Sequence, residues 1–229
     1  MGTTVVVGGS HGIGRLVAER AAGRGDTVVI TSRDKGRAET VATEIGGDAK
    51  GIALDLAAPT TIEAALAEVG EVDHLVITAI EQTVQSIGTF DVADAIKSVT
   101  IKLVGYAETV RVLTARFRPG ASVVLFGGLA KERPYPGSTM VTTINAGVTG
   151  LTRTLAKELA PLRVNALHSG VVGDSPKWSA VKDTHPAVAR TPLGRLVTMD
   201  EVADATEFLL RNGGMNGHDL NVDGGWLLT

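Results

Sequence analysis

The sequence predicts an α/β fold in which helices cover both faces of a parallel sheet. Short apolar runs alternate with amphipathic segments along the whole chain, which is typical of βαβ units with right-handed crossovers. Aromatic residues make up 3% of the chain, so Val, Leu, Ile and Ala must fill the core, as they do in buried parallel strands. A glycine-rich turn directly after the first apolar run is the third observation that favours this class.

Seven runs rich in β-branched residues, bounded by Gly or Asp, predict the strands. In chain order they read TTVVVG, DTVVITS, GIALDL, HLVIT, ASVVLFG, RVNALHSG and DLNVDGG. Between them the apolar periodicity predicts helices at about 12–23, 36–46, 59–69, 91–116, 139–160 and 199–211. Segment 171–198 is irregular, contains three prolines (Pro176, Pro186 and Pro192) and is too long for a simple connection. We expect it to form a substrate lid within a single domain, 1–229.

Composition excludes several classes of function. The 229 residues suit one sizeable domain, and a net charge of −3 gives no basic surface for nucleic acid or anionic membrane. No cysteine is present, which excludes disulfides and thiolate chemistry and suits a cytoplasmic protein. We expect no signal peptide, membrane anchor or metal site.

The loop after the first strand has the character of a phosphate-binding turn. Gly8, Gly12 and Gly14 lie between a strand and a helix, with Ser10, His11 and Ile13 among them. Glycines at such a turn allow close backbone approach to a phosphate, and the free N–H groups of the helix N-terminus then hold the anion. The alternative is a glycine-rich turn with a structural role alone.

These motifs resemble the short-chain dehydrogenase/reductase family. The resemblance rests on the G-x-x-x-G-I-G spacing, the Asp55–Leu56 pair, RVNALHSG and the closing NVDGG. It covers essentially the entire chain and implies a Rossmann domain with strand order 3-2-1-4-5-6-7, an NAD(P) cofactor, and a dimer or tetramer. It further implies a set of cofactor-binding residues beyond the glycine loop: Ser32, Arg33, Asp55, Leu56, Thr78, Asn145, Ser169, Gly170 and Val172. Ser169 replaces a proline of the family pattern, and Asp174 replaces a threonine that normally holds the nicotinamide carboxamide.

The end of the second strand predicts the cofactor preference. Relatives that prefer NAD place an acid there, whereas this chain has Ser32 followed by Arg33, and an arginine binds phosphate bidentately. Arg37 and His11 are expected to add positive potential nearby. We therefore expect NADP(H) rather than NAD(H). The alternative is that Arg33 pairs with Asp34 at the surface.

The residues that usually carry the family's catalysis are changed in this chain. Matching the pattern puts Val141 at the tyrosine position, Asn145 at the lysine position and Gly128 at the serine position. The family's asparagine becomes Lys102. Lys and Asn have thus exchanged positions, so Lys102 is expected to deliver an ammonium group into nearly the same volume while Asn145 contacts the cofactor ribose. The alternative is that Lys102 is a solvated helix residue in a decayed site.

The tyrosine itself has few candidate replacements. Tyr135 lies on a loop that lines the substrate pocket in relatives, with Lys131 and Arg133 close in sequence; a phenol needs a cationic neighbour to act as an acid near neutral pH. His168 ends the sixth strand and is either a proton donor or a packed end-of-strand residue. Glu81 is either a supporting acid or merely exposed.

The tail and the lid contain the two tryptophans. Trp226 and Leu227 are candidates for a homo-oligomer interface, or they fold back on their own subunit. Trp178 is expected to form an apolar wall over the substrate. The leading hypothesis is an NADP(H)-dependent oxidoreductase acting on a small carbonyl, enone or alcohol with a non-standard proton supply. The alternative is an inactive NADPH-binding sensor or scaffold.

Overall fold

The parallel sheet has the predicted strand order. The computed structural model describes residues 2–81 and 84–229, and within them seven parallel strands pair in the order β3-β2-β1-β4-β5-β6-β7. This confirms the predicted fold class. The strands are β1 (Thr3–Val7), β2 (Thr27–Ser32), β3 (Lys50–Ala53), β4 (Val72–Ile77), β5 (Phe117–Phe126), β6 (Arg163–Ser169) and β7 (Asp219–Val222).

Seven α-helices follow the predicted periodicity, with two differences. They are α1 (Gly12–Gly23), α2 (Lys35–Ile45), α3 (Ile62–Ala65), α4 (Val92–Val99), α5 (Tyr106–Leu113), α6 (Thr139–Glu158) and α7 (Met199–Arg211). The helix predicted at 59–69 shrinks to one α-helical turn after a 3₁₀ turn at Pro59–Thr61. The helix predicted at 91–116 is interrupted by a π-helical segment, Thr100–Gly105, between α4 and α5. π-Helical turns occur frequently at functional sites.

The core has two layers because side chains alternate across the central strands. On β1, Val5 and Val7 belong to the layer that contains Tyr106, whereas Val6 packs in the opposite layer with Val17 of α1. Both layers are built mainly from Val, Leu, Ile and Ala, as the shortage of aromatic residues implies. Helices on both faces hold the strands in place, so the loops at their carboxyl ends are free to build a site.

The segment 171–198 lies over the carboxyl edge of the sheet. It contains two 3₁₀ turns, Ser179–Val181 and Val188–Arg190, and its two ends meet in a bridge between Val172 and Val197. Pro176 of this segment approaches the glycine loop, where its Cδ lies 3.8 Å from the position of a Cβ built on Gly12. Within the described part of the chain, no helix has the length and apolarity needed to cross a membrane.

Candidate functional site

One cleft of about 1000 Å³ opens along the carboxyl edge of the sheet. Its walls come from the loops that follow β1 to β6, where strand order reverses between β1 and β4, the usual ligand position in such sheets. Nearly every site residue expected from the sequence lines this cleft: Gly8, Ser10, His11, Gly12, Ile13, Gly14, Ser32, Arg33, Asp55, Leu56, Thr78, Lys102, Tyr135, Asn145, Ser169, Gly170 and Val172.

The glycine loop packs tightly on one side and stays open on the other. A Cβ on Gly14 would lie 2.5 Å from Thr78 Oγ1, and one on Gly8 would lie 2.7 Å from the backbone nitrogen of Ala79. Thr78 Oγ1 in turn donates to the carbonyls of β1 and the loop, at 3.2 Å from Val7 O and 3.3 Å from Gly8 O. Gly12 instead has φ +55° and faces open space apart from Pro176. The loop therefore brings the N-terminus of α1 to the cleft, with no acidic residue in its first turn to compete with an anion.

The end of the cleft next to β2 contains two arginines, Arg33 and Arg37, together with the carboxylates of Asp34 and Glu81. Asp34 caps α2 by accepting from the Arg37 backbone N–H at 2.7 Å, and Arg33 pairs with a different carboxylate, so the alternative of a surface pair between Arg33 and Asp34 is wrong. Arg33 instead donates to Glu81 Oε2 at 2.5 Å. Burial, together with the charges of Arg37 and Arg33, lowers the pKa of His11, so the charge expected from its ring is absent at neutral pH.

At the opposite end, the π-helical segment holds Lys102 inside the fold. The segment packs close to the turn after β3, because a Cβ on Gly105 would lie 2.8 Å from Leu56 Cβ. The Lys102 side chain is only 1% exposed, and its Nζ has no hydrogen-bond partner among the described residues. The ring of Tyr106 lies 5.4 Å from this nitrogen. Burial lowers the pKa of Lys102 to about 7, so the alternative of a solvated helix residue is wrong.

Asn145 of α6 is a second buried group without a full set of partners. It is 3% exposed, and its Oδ1 lacks a hydrogen-bond partner in the described part of the chain. Its Nδ2 occupies space that a side chain at Gly128 would need, since a Cβ there would lie 2.9 Å away. Gly128 and Val141 also line the cleft. The four positions singled out by the family pattern are therefore gathered in one place.

The unpaired polar atoms concentrate at this cleft. Among residues 2–81 and 84–229, five buried side-chain polar atoms lack partners, and three of them belong to cleft residues: Lys102 Nζ, Asn145 Oδ1 and Trp226 Nε1. Buried polar groups in folded proteins are almost always hydrogen-bonded. Such a grouping marks this cleft as the candidate site, because unpaired buried polar groups are candidates for contacts with a ligand.

Tyr135 and His168 fit their proposed roles less well. Tyr135 lines the cleft, but Lys131 is bound to Glu132, and Arg133 donates to Trp226 O at 2.6 Å, so its expected cationic neighbours are engaged elsewhere. His168 is not part of the cleft wall. Its ring is fully buried, with Nε2 2.8 Å from Asp219 Oδ1, and burial lowers its pKa.

The structure also places Tyr106, Asp174 and Trp226. Tyr106 is fully buried; its hydroxyl donates to Ala79 O at 3.0 Å, and burial raises its pKa, so it is no proton donor near neutral pH. Asp174 turns away from the cleft and accepts from Met199 N at 2.7 Å. Trp226 folds back on its own chain, stacks on Arg133 at 4.6 Å and lines the cleft. A turn at Gly224 and Gly225, both with positive φ, directs the tail there; the DGG sequence was the available signal.

Comparison with known proteins agrees with this geometry. The family model described as enoyl-(acyl carrier protein) reductase matches residues 7–227. A 3-oxoacyl-(acyl-carrier-protein) reductase of Mus musculus is 31% identical over 231 residues, covering 98% of this chain and 97% of that protein. The chain belongs to the short-chain dehydrogenase/reductase family. This membership makes it an oxidoreductase of the short-chain type.

Other short-chain dehydrogenases/reductases are similarly related. The 3-oxoacyl-(acyl-carrier-protein) reductase of Escherichia coli strain K12 is 29% identical, covering 98% of this chain and 97% of that protein. A dehydrogenase/reductase structure from Sinorhizobium meliloti 1021 has a TM-score of 0.90 at 29% identity, over 98% of this chain and 94% of that one. The structure of a small-chain dehydrogenase in complex with NADPH has a TM-score of 0.85 at 25% identity, covering 100% of this chain and 99% of that one.

Proposed function

We propose that this protein is an NADP(H)-dependent oxidoreductase acting on a small carbonyl, enone or alcohol, with Lys102 as its proton donor. One observation carries the proposal: the unpaired buried atoms of Lys102 and Asn145 share a cleft with the open N-terminus of α1 and with Arg33. Relatives named as reductases and a similar structure containing NADPH support it. Bound NADPH supplies the hydride.

The chain has residues suited to each part of that cofactor. The N-terminus of α1 would hold the pyrophosphate, Asp55 and Leu56 would flank the adenine, and Asn145 Oδ1 would accept from a ribose hydroxyl. In the turn after β3, Asp55 Oδ1 accepts from Ala57 N at 2.9 Å, which fixes the carboxylate in place.

Arg33 determines the preference for NADP(H) through a phosphate contact. Its guanidinium lies at the tip of β2, is 68% exposed and lines the cleft, so a ribose 2′-phosphate can reach it. We expect Arg33→Ala to weaken NADPH binding about tenfold or more, because a charge-assisted contact contributes roughly 1.5–3 kcal/mol. NADH, which lacks this phosphate, should change less than about twofold. Calorimetric titration with both cofactors measures this, and equal losses for both would refute the assignment. Lys35→Ala is the matched control, since Lys35 pairs with Glu39 outside the cleft.

Lys102 supplies the proton that the valine at position 141 cannot. The protonated amine donates from Nζ to the substrate oxygen, where negative charge develops during reduction, and then regains a proton from water. A buried amine that titrates near neutral pH suits this task, because it holds a proton yet releases it readily. The low local polarity strengthens the interaction with a developing oxyanion.

The pH profile of reduction tests this role. The donor must be protonated, so kcat should fall as pH rises through about 7, the pKa of Lys102. We expect Lys102→Met to lower kcat by about 10²–10⁴-fold and to remove this pH dependence. NADPH absorbance gives the rate, and Lys157→Met, an exposed lysine on α6, is the control. A Lys102→Met variant that keeps the pH profile of the parent would contradict the assignment.

Cofactor affinity tests the exchange of Lys and Asn separately. If Lys102→Ala and Asn145→Ala both bind NADPH as tightly as the parent, neither residue contacts the cofactor.

Apolar side chains in the cleft wall favour an apolar substrate. They include Trp178, Trp226, Ile80, Val84 and Leu196. Trp178 is braced by an edge-on contact with His185 at 4.8 Å between ring centroids. The assay should therefore include aromatic and cyclic ketones, enones and quinones, with 3-oxoacyl and enoyl thioesters added because the relatives' names specify such substrates.

The same assay distinguishes the second hypothesis. Tight NADPH binding without consumption by any of these substrates would favour a cofactor-binding sensor, a hypothesis that rests on the lack of a tyrosine at position 141 and of a serine at position 128. A homo-oligomer stays a prediction, since Trp226 is engaged within its own chain.

A further inference from the structure

Glu81 is held between two cations at the adenosine end of the cleft. Its Oε2 accepts from Arg33 Nη1 and its Oε1 from Lys97 Nζ, each at 2.5 Å. These contacts lower the pKa of Glu81, led by the hydrogen bond from Lys97, so the carboxylate is charged at neutral pH. Arg33 and Glu81 line the cleft, whereas Lys97 on α4 is not part of the cleft wall.

The pair joins two loops on either side of the glycine loop. Arg33 follows β2 and Glu81 follows β4, and β1 lies between these strands in the sheet. The carboxylate therefore already holds Nη1 of the guanidinium that the proposed function assigns to the 2′-phosphate. A phosphate needs two nitrogens for a bidentate contact, so it must compete with Glu81 whenever Nη1 is one of them.

We propose that Glu81 sets the cofactor selectivity of this site by competing with the 2′-phosphate for Arg33, and that Lys97 retains Glu81 once the phosphate displaces it. This inference rests on the proposed function. The two carboxylate oxygens of Glu81 have separate partners. When Oε2 releases Arg33, Oε1 therefore keeps its ion pair with Lys97. The site is thereby less selective for NADPH over NADH than Arg33 alone would make it.

The ion pair between Arg33 and Glu81 is exposed to solvent, so it is weak and a phosphate can displace the carboxylate. Arg33 is 68% exposed and Glu81 40% exposed, and exposed ion pairs contribute little to stability. A phosphate carries more charge than a carboxylate, so it is the stronger ligand for the arginine. Glu81 also repels the incoming phosphate at short range, which adds to the competition.

Calorimetric titration of the full chain with NADPH and NADH tests the proposal. We expect Glu81→Gln to tighten NADPH binding about five- to tenfold, since it removes both the competing and the repelling charge, and to change NADH binding less than about twofold. Lys97→Gln should weaken NADPH binding about threefold, because the displaced carboxylate then has no partner. In the Glu81→Gln background Lys97→Gln should have no further effect.

Two comparisons make the outcome specific. Glu39→Gln on α2 is the matched control, since its partner Lys35 stands outside the cleft. In the Arg33→Ala background, Glu81→Gln should lose most of its benefit. Equal effects of Glu81→Gln on both cofactors, or no effect on NADPH, would overturn the proposal while leaving the proposed function standing. Failure of the parent chain to bind either cofactor would overturn both.

Discussion

Replacing Lys102 by methionine should stabilise the folded chain, and the gain should depend strongly on pH. The pKa of this lysine falls from 10.5 to about 7 through burial alone. Below pH 7 the folded and unfolded chains both carry the proton, so the full cost of the buried charge is present. The pKa difference corresponds to up to roughly 5 kcal/mol. Methionine fills a similar volume without a charge, so the variant escapes this cost.

The sign of the pH dependence follows from proton binding. Between about pH 7 and 10.5 the unfolded chain binds more protons at this lysine than the folded chain does, so this group makes the parent more stable as pH rises. The advantage of Lys102→Met should therefore be largest below about pH 7 and vanish above about pH 10.5. Urea unfolding at several pH values measures it. Lys157→Met, at an exposed position, should stay within about 0.5 kcal/mol of the parent. A destabilised Lys102→Met, or a gain independent of pH, would mean that the amine has a partner in solution.

Replacing Gly14 by alanine should disable the glycine loop. The added Cβ would lie 2.5 Å from Thr78 Oγ1, inside the 3.0 Å that real Cβ atoms respect, and it would also meet the backbone of Gly8. The first turn of α1 must then move away from β1. We expect a loss of about 1–3 kcal/mol in stability from overpacking. NADPH affinity should fall about a hundredfold, because the displaced N–H groups no longer converge on the pyrophosphate.

Gly23→Ala provides the matched control for this change. Gly23 is the last residue of the same helix, and nothing lies within 4 Å of a Cβ added there. The same substitution should leave NADPH affinity unchanged and stability equal or slightly higher. Calorimetry and thermal melts measure both properties. If Gly14→Ala binds NADPH as the parent does, the helix N-terminus is not the pyrophosphate site.

The sequence predicted the scaffold because its determinants are local. Alternating apolar runs set the strands, and the spacing of Gly8, Gly12 and Gly14 located the turn that the structure places at the cleft. The same locality explains two errors in detail. The helix predicted at 91–116 contains a π-helical segment whose Gly105 lies against Leu56, a residue distant in sequence. The helix predicted at 59–69 begins with a 3₁₀ turn and its α-helical part ends at Ala65, before the predicted end.

Side-chain partners were less predictable than backbone elements. The alternative for Arg33 was a pair with Asp34, its neighbour in sequence, yet it binds Glu81, 48 residues further on. His168 was a candidate acid because it ends a strand near the site, but its ring turns to Asp219 of β7. No short-range pattern specifies which way a strand-end side chain points, because that depends on which neighbouring strand offers a partner.

The sequence by itself determined the α/β class, the strand order through the family resemblance, and the absence of a tyrosine at position 141. These depend on residue types and their spacing along the chain. Only the tertiary structure decided that Lys102 is buried with no hydrogen-bond partner among residues 2–81 and 84–229, that Glu81 pairs with Arg33, and that Trp226 returns to the cleft. Burial and pairing depend on residues distant in sequence, and they alone turn an ordinary lysine into one that titrates near neutral pH.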